Sequence, residues 1–289
     1  MSARAPLGLT VAGANPAGLE PIGLDELNAL AALQTRIDRK YVVDVETAAA
    51  VLRGLPADTR VLDIDGRRNF GYDSVYFDTP GRASYLSAAH PRRRRFKVRT
   101  RGYLDTGTAF LEVKTEGARA ATVKERIPYD PADRSRLTGE GRAYVAAELA
   151  QAGGSAADAA TQAADGGLVP ALETSYRRTT FFIPGAGSRA TLDEAVGWRL
   201  PSRPLWSLAG HVVLETKSGS SPGPVDRLLW AHGVRPARIS KYATGLAALI
   251  PALPSNRWSR TLRRHLVPNL VERVPAPHTP PHFPEERTS

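Results

Sequence analysis

Residues 95–101 read Arg-Phe-Lys-Val-Arg-Thr-Arg. Side chains of a β-strand alternate between its two faces. Phe96, Val98 and Thr100 therefore share one face, and Lys97, Arg99 and Arg101 the other. Three like charges in one row repel one another. A half-buried strand ordinarily shows water a mixed polar face, so this row implies something polyanionic that neutralises it.

The pattern repeats along the chain. Strands are predicted at 36–43, 72–77, 95–103, 108–115, 121–128, 176–183, 188–193 and 210–217, rich in aromatic and β-branched residues. In 108–115, Phe110, Glu112 and Lys114 alternate with Leu111, Val113 and Thr115. In 121–128, Thr122, Lys124 and Arg126 share a face. So do Tyr176, Arg178 and Thr180, then Arg189, Thr191 and Asp193, then Val213, Glu215 and Lys217. An early strand adds Asp38 and Lys40. For one strand alone, the ordinary reading is a solvated face over an apolar core. The recurrence of cations in excess of carboxylates favours a closed barrel instead, with charged side chains inside and apolar ones outside under helices. Eight strands enclose room for one small ligand. A polyphosphate, with about one charge per phosphate, would neutralise such a lumen through charge-assisted hydrogen bonds.

Composition agrees with this. The chain has 289 residues, 42% hydrophobic, a net charge of +10 and a pI near 10.1. The length suits one large domain or two small ones. The charge suits a nucleic acid, an anionic membrane surface or a polyphosphate. There is no cysteine, which excludes disulfides and thiolate zinc sites. No apolar run is long enough to span a membrane and the first residues lack a signal-peptide pattern, so a cytoplasmic chain is expected, with any membrane partner separate.

Three regions are expected. Residues 1–21 form a loose arm, 22–253 the folded domain and 254–289 a Pro-rich basic disordered tail. Within the domain, 150–167 is rich in Ala and Gly and reads as a flexible insertion. Helices are predicted from about 24 to 33, from Val45 to Arg53 behind an Asp44 N-cap, and at 225–232 and 241–250.

Carboxylates matter as much as cations. Phosphoryl transfer needs charge neutralisation, usually with a divalent ion bridging phosphate oxygens. Mg²⁺ and Mn²⁺ take oxygen ligands, often one or two carboxylates with substrate and water. Glu215, on a strand within the basic set, is the candidate; its alternative role is an ion pair with Lys217 or an arginine. Glu112 and Lys114 carry the same ambiguity, and Asp193 is the weaker candidate.

The motifs in order are Arg36-Ile-Asp-Arg-Lys-Tyr41, Tyr72-Asp-Ser-Val-Tyr-Phe-Asp-Thr79, Lys97-Val-Arg-Thr-Arg-Gly-Tyr103 and Leu111-Glu-Val-Lys114. They continue with Val123-Lys-Glu-Arg126, Tyr176-Arg-Arg-Thr-Thr-Phe181, Thr191-Leu-Asp193, Leu214-Glu-Thr-Lys217 and Ser240-Lys-Tyr242. Together they resemble the VTC domain, the polyphosphate polymerase domain of the triphosphate tunnel metalloenzyme superfamily, over about 34–250. The resemblance implies an α+β fold: an antiparallel, eight-stranded, tunnel-shaped β-barrel with flanking helices. It implies ATP or another nucleoside triphosphate as phosphate donor, polyphosphate or triphosphate in the tunnel, and Mn²⁺ or Mg²⁺ as cofactor. Carried over by motif, the phosphate-binding positions are Lys40, Arg99, Arg101, Lys114, Lys124, Arg178, Arg189 and Lys241. Of these, Lys40, Arg99, Arg101, Lys114, Arg178 and Arg189 would also act in catalysis, and Glu215 would bind metal. The superfamily's hydrolase branch carries a Glu-x-Glu-x-Lys strand. Here the equivalent is Arg36-x-Asp38-x-Lys40, which keeps one of the two carboxylates.

Other features carry less. Arg92–Arg95 reads as a basic loop rim rather than a nucleic-acid site, and it could steer an anionic chain inward. His278 and His282 stand in the Pro-rich tail without further zinc ligands. No Gly-x-x-x-x-Gly-Lys-Ser/Thr loop occurs. Three functions stay open at this point: a polymerase, a tripolyphosphatase or nucleoside triphosphatase on the same fold, and a non-catalytic polyphosphate- or nucleic-acid-binding module.

Overall fold

The computed structural model describes residues 18–31, 37–92, 95–116, 122–153 and 155–273. Most of the expected N-terminal arm, the end of the tail, His278 and His282, and Arg93 and Arg94 of the basic run lie outside them. In chain order the elements are β1 (Glu20–Ile22), α1 (Leu24–Ala31), β2 (Ile37–Asp44), α2 (Val45–Arg53), β3 (Arg60–Leu62), β4 (Phe70–Asp78) and α3 (Ala83–Ala89). There follow β5 (Phe96–Tyr103), β6 (Thr108–Glu116), β7 (Thr122–Tyr129), α4 (Gly139–Ala152), α5 (Ser155–Ala164), β8 (Val169–Ile183) and β9 (Ser188–Arg199). The last are β10 (Leu205–Leu208), β11 (His211–Ser218), α6 (Pro224–Ala231), α7 (Lys241–Leu249), α8 (Ser259–Thr261) and β12 (Leu270–Arg273).

Eight strands form one antiparallel path in the order β2-β11-β9-β8-β4-β5-β6-β7. Short strands extend it: β3 continues alongside β8 and pairs in parallel with β1, while β10 joins β9 to β12. The closed barrel expected from the sequence is corrected here. Among the described residues no ladder joins β2 to β7, so the sheet is an open, curled tunnel. The curl brings β2 opposite β5 and β6 across a cavity lined by Asp38, Lys40, Lys97 and Lys114. The connection before α7 occupies this seam. The Ala237 N–H donates to the Lys40 carbonyl at 2.7 Å, and Lys97 Nζ donates to Ser240 Oγ at 3.1 Å.

The two faces divide as period-two alternation requires. In β5, Phe96, Val98 and Thr100 are buried while Lys97, Arg99 and Arg101 are only partly so. Val75, Phe77, Phe96, Val98, Leu111 and Val113 pack outward against α4 and α5. Tyr41, Val43, Leu192, Val212 and Leu214 pack outward against α2 and α6. Asp44 caps α2 as expected, accepting from the Thr47 N–H at 2.8 Å.

Residues 155–164, read from composition as a flexible insertion, form α5. Ala156, Ala159, Ala160 and Ala163 recur at helical spacing and are buried in the outer core. Alanine is the best helix former, and a stripe of small side chains lets a helix lie close to its neighbours. The tail expected from 254 also packs in part. Trp258, Leu262 and Leu266 are buried, and β12 pairs with β10.

A third cluster lies on the inner face. Helix α7 enters the concave side and packs Tyr242, Ala243 and Leu246 among Tyr76, Leu172, Tyr176, Val196 and Trp198. A bulge makes this possible. Residues 195 and 196 stand opposite the single register break between Ser175 and Arg177, and Ala195 has φ +51°. The extra residue shifts the alternation, so Asp193 and then Val196 and Trp198 all face inward. None of the described helices is long and apolar enough to cross a membrane.

Candidate functional site

Three carboxylates organise the cations of the concave face. Glu112 of β6 stands directly across from Arg99 of β5 and Arg126 of β7. Arg99 Nε donates to it at 2.7 Å, Lys124 Nζ lies 2.8 Å away and Arg101 Nε 4.0 Å away. Burial opposes the charge on Glu112, but Arg99, Arg101 and Lys124 outweigh it and bring the carboxyl down to about 2. Arg99 also donates to Tyr76 OH at 3.0 Å.

Asp193 of β9 is fully buried and pairs in register with Arg178 of β8. Arg178 grips it in a fork, Nε to Oδ1 at 2.6 Å and Nη2 to Oδ2 at 2.8 Å. Lys241, at the first turn of α7, closes on Oδ2. Its ammonium also sits 4.3 Å from the centroid of Tyr176. Burial would raise the Asp193 carboxyl, but Arg178 and Lys241 hold it below the ordinary carboxylate range.

Glu215 of β11 lies across from Lys40 of β2 and Thr191 of β9. Lys217 approaches its Oε1 at 2.9 Å and Lys40 the same oxygen at 3.4 Å. Despite burial, Lys40 and Lys217 hold this carboxyl well below its usual value. Lys217 also reaches Asp38 at 2.6 Å. Arg189 stands across from Lys217 in the β9–β11 ladder.

Beyond these groups lies a cavity of about 540 Å³ lined by Lys40, Lys97, Lys114, Arg238 and Arg257, with Asp38 and Glu116. Enclosure of its amine, then the charges of Lys114, Arg99, Lys40 and Arg95, pull Lys97 down to about 7. Enclosure and the nearby Lys40 also lower Lys114.

The structure thus brings Lys40, Arg99, Arg101, Lys114, Lys124, Arg178, Arg189, Glu215 and Lys241 onto one concave face. Sequence reasoning assigned no role to Tyr72 and Tyr76, whose rings lie under Arg101 and Arg99. It left Glu112 and Asp193 open between metal ligand and ion pair; the structure makes both enclosed counter-ions. Lys97, left unassigned in the motif match, belongs to the cavity wall. Both had a signal in the alternation, Glu112 between two basic strands and Asp193 on a face with Arg189 and Thr191; that Asp193 pairs with Arg178 needed the register.

The donor set suits a divalent ion held jointly with substrate. Among the described residues no cluster of three or more His, Cys, Asp or Glu exists. Mg²⁺ and Mn²⁺ are commonly bound through one or two carboxylates plus phosphate oxygens and water. Glu112 and Asp193 each offer both oxygens to cations. Glu215 is ionised, only partly covered, and approached by both lysines through Oε1. That leaves it the carboxylate best placed to share an ion with a phosphate chain.

A curled antiparallel sheet whose inner face is cationic defines a tunnel protein suited to linear polyanions. Residues 35–250 match the family model of the VTC domain, so the chain belongs to that family, which ties it to triphosphate- or polyphosphate-related chemistry. No curated protein matches it significantly. Among solved structures it is similar to a Hippeastrum candidate adenylyl cyclase described as revealing a dominant triphosphatase activity. The identity is 14%, with a TM-score of 0.42, over 73% of this chain and 94% of that one. It is also similar to a Pyrococcus horikoshii protein, at 15% identity and a TM-score of 0.36, over 69% of this chain and 88% of that one. A Pyrococcus furiosus protein follows at 13% and 0.35, with the same coverage.

Proposed function

We propose that this chain is a metal-dependent polyphosphate polymerase, transferring the terminal phosphate of ATP or another nucleoside triphosphate to a polyphosphate chain. The carrying observation is the concave face, where cations from five strands and α7 surround carboxylates that they already hold ionised. Such a face gains most from a ligand that brings a row of negative charges.

Lys40, Arg99, Arg101, Lys114, Lys124, Arg178, Arg189 and Lys241 would hold successive phosphates and place donor and acceptor in line. A terminal oxygen of the chain attacks the γ-phosphorus, the bond to the β,γ-bridging oxygen breaks, and nucleoside diphosphate leaves. The attacking group is already an ionised phosphate oxygen, so no general base is needed. Arginines fixed by Glu112 and Asp193 face the charge that spreads over the transferring group, and fixed donors pay little reorganisation. Glu215 would hold Mg²⁺ or Mn²⁺, which supplies further charge neutralisation when bound. Hydrolysis is less favoured. Asp38 is engaged by Lys217 at 2.6 Å, and the position two residues before it is Arg36.

The test is incubation of purified protein with ATP and Mn²⁺, followed by separation of phosphate from polyphosphate on a gel. Chain growth that stops in Glu215→Gln supports the proposal. Phosphate release without chains would make it a hydrolase, and tight anion binding without turnover would make it a binding module.

A further inference from the structure

The concave face changes character along its length. From Lys97 to Tyr103, strand β5 spans about 20 Å at ~3.3 Å per residue. Lys97 stands across from Lys114 at one end. At the other end the cross-strand partners are Arg101 with Phe110 and Tyr72 with Tyr103. Here aromatic rings replace lysines. Tyr103 meets Phe110 edge to face, centroids 5.8 Å apart at 82°, and Tyr72 at 5.1 Å. The Arg126 guanidinium lies 4.5 Å over the Phe110 ring. Tyr103 and Phe110 are only half-buried and Arg126 is exposed, so this rim is open to a ligand.

Lysine ammoniums recognise phosphate, whereas flat rings and guanidinium planes stack on bases. We infer that the Tyr103–Phe110–Arg126 rim is a stacking site for the base of a nucleoside triphosphate, whose phosphates run inward past Arg101. The inference rests on the proposed use of a nucleoside triphosphate, and it gives the tunnel a direction. The base stays at the aromatic end, and the phosphate chain extends toward the lysine cavity. That cavity is a poorer base site. Trp258 is 4% exposed there and already packed on Tyr85, with centroids 5.8 Å apart. Phe110 lies directly across from Arg101, so a base on the ring leaves its first phosphate beside that guanidinium. Stacking reads a π-face rather than hydrogen-bonding edges, so tolerance among purine nucleotides is expected.

The experiment compares calorimetric binding of ATP and of inorganic tripolyphosphate to the full chain and to Phe110→Ala and Phe110→Trp. Loss of roughly ten-fold in ATP affinity is expected for Phe110→Ala, from the usual worth of one stacked base. Tripolyphosphate affinity should hold, and Phe110→Trp should keep ATP binding. Unchanged tripolyphosphate binding also shows that the variant is folded. Equal loss of both ligands, or loss of neither, overturns the stacking site while leaving the polyanion reading intact. Failure of the unaltered chain to bind either ligand overturns both. Arg126→Ala gives a second, surface-exposed variant with the same expected split between the two ligands.

Discussion

Arg99 stands directly across the β5–β6 ladder from Glu112 and closes on its carboxylate at 2.7 Å. Lys124 reaches the same group from β7 at 2.8 Å. One buried acid thus holds cations from two neighbouring strands in fixed directions before any ligand arrives. The arrangement costs desolvation and returns preorganisation, as buried ion pairs do when every partner is engaged.

Replacing Glu112 by Gln should therefore destabilise the chain by about 3 kcal/mol, because the cations lose their counter-charge. Tripolyphosphate should raise the melting temperature of this variant more than that of the unaltered chain, since the ligand now supplies the missing charge. The pH dependence has a definite sign. The folded pKa is about 2 and lies below the ordinary glutamate value of about 4.3. Its contribution is complete above about 4.3 and fades as pH falls toward 2. Thermal melts across that window should show a smaller acid-induced decline in the variant. Equal declines would remove Glu112 from the account.

Lys97 gives a second pH effect. With a folded value of about 7, it is largely neutral by pH 9 in the free protein. A phosphate chain in the cavity would favour the ammonium, so binding takes up a proton. Tripolyphosphate affinity should fall between pH 7 and 9, and calorimetry in buffers of different ionisation enthalpy should register the uptake. Stability runs the other way. The unfolded chain holds this proton up to about pH 10.4, so the folding penalty on Lys97 is full below 7 and shrinks as pH rises through that window. Lys97→Met should flatten the affinity change; an unaltered profile would show that the chain does not reach this amine.

The alternation in 95–101 made the eight-strand sheet and its cationic face readable, because period two is a local property of the chain. The outer core followed from it. Three features were not readable. The sheet's failure to close depends on long-range curvature and on the seam filled by Ala237 and Ser240. Helix α5 was hidden because alanine scores as low complexity although its spacing is helical. The inner core around Trp198 depends on a bulge at Ala195, and a positive φ at alanine leaves no mark in composition. Site cations were therefore found from alternation and motif, whereas their buried partners needed the register.

Asp193 should be coupled energetically to Lys241 across the gap between β9 and α7. Asp193→Asn leaves Arg178 and Lys241 as buried cations without a counter-charge and should cost about 3–5 kcal/mol. Lys241→Met alone leaves the Arg178 fork and should cost less. In a double-mutant cycle by denaturant unfolding the two changes should be non-additive by more than about 1 kcal/mol. Additive losses would mean that the contact does not hold α7 in place.

The seat of α7 offers a test in which two effects oppose each other. Gly245 lies within the helix, and a Cβ there would overlap Cδ1 and Nε1 of Trp198. Glycine to alanine inside a helix normally stabilises by about 0.5–1 kcal/mol. Overpacking a core costs about 1–3 kcal/mol, and the overlap here is with a fully buried indole whose Nε1 donates to the Lys241 carbonyl at 2.7 Å. The clash should win. Gly245→Ala should lower the melting temperature and, by shifting the first turn of α7, weaken tripolyphosphate binding through Lys241. Gly233, with φ +75° and open space around its Cβ position, is the contrasting site. There, alanine should cost stability through backbone strain while leaving ligand affinity unchanged. Melting curves paired with titrations of both variants separate the two mechanisms. If Gly245→Ala raises the melting temperature, α7 does not pack against Trp198 as described.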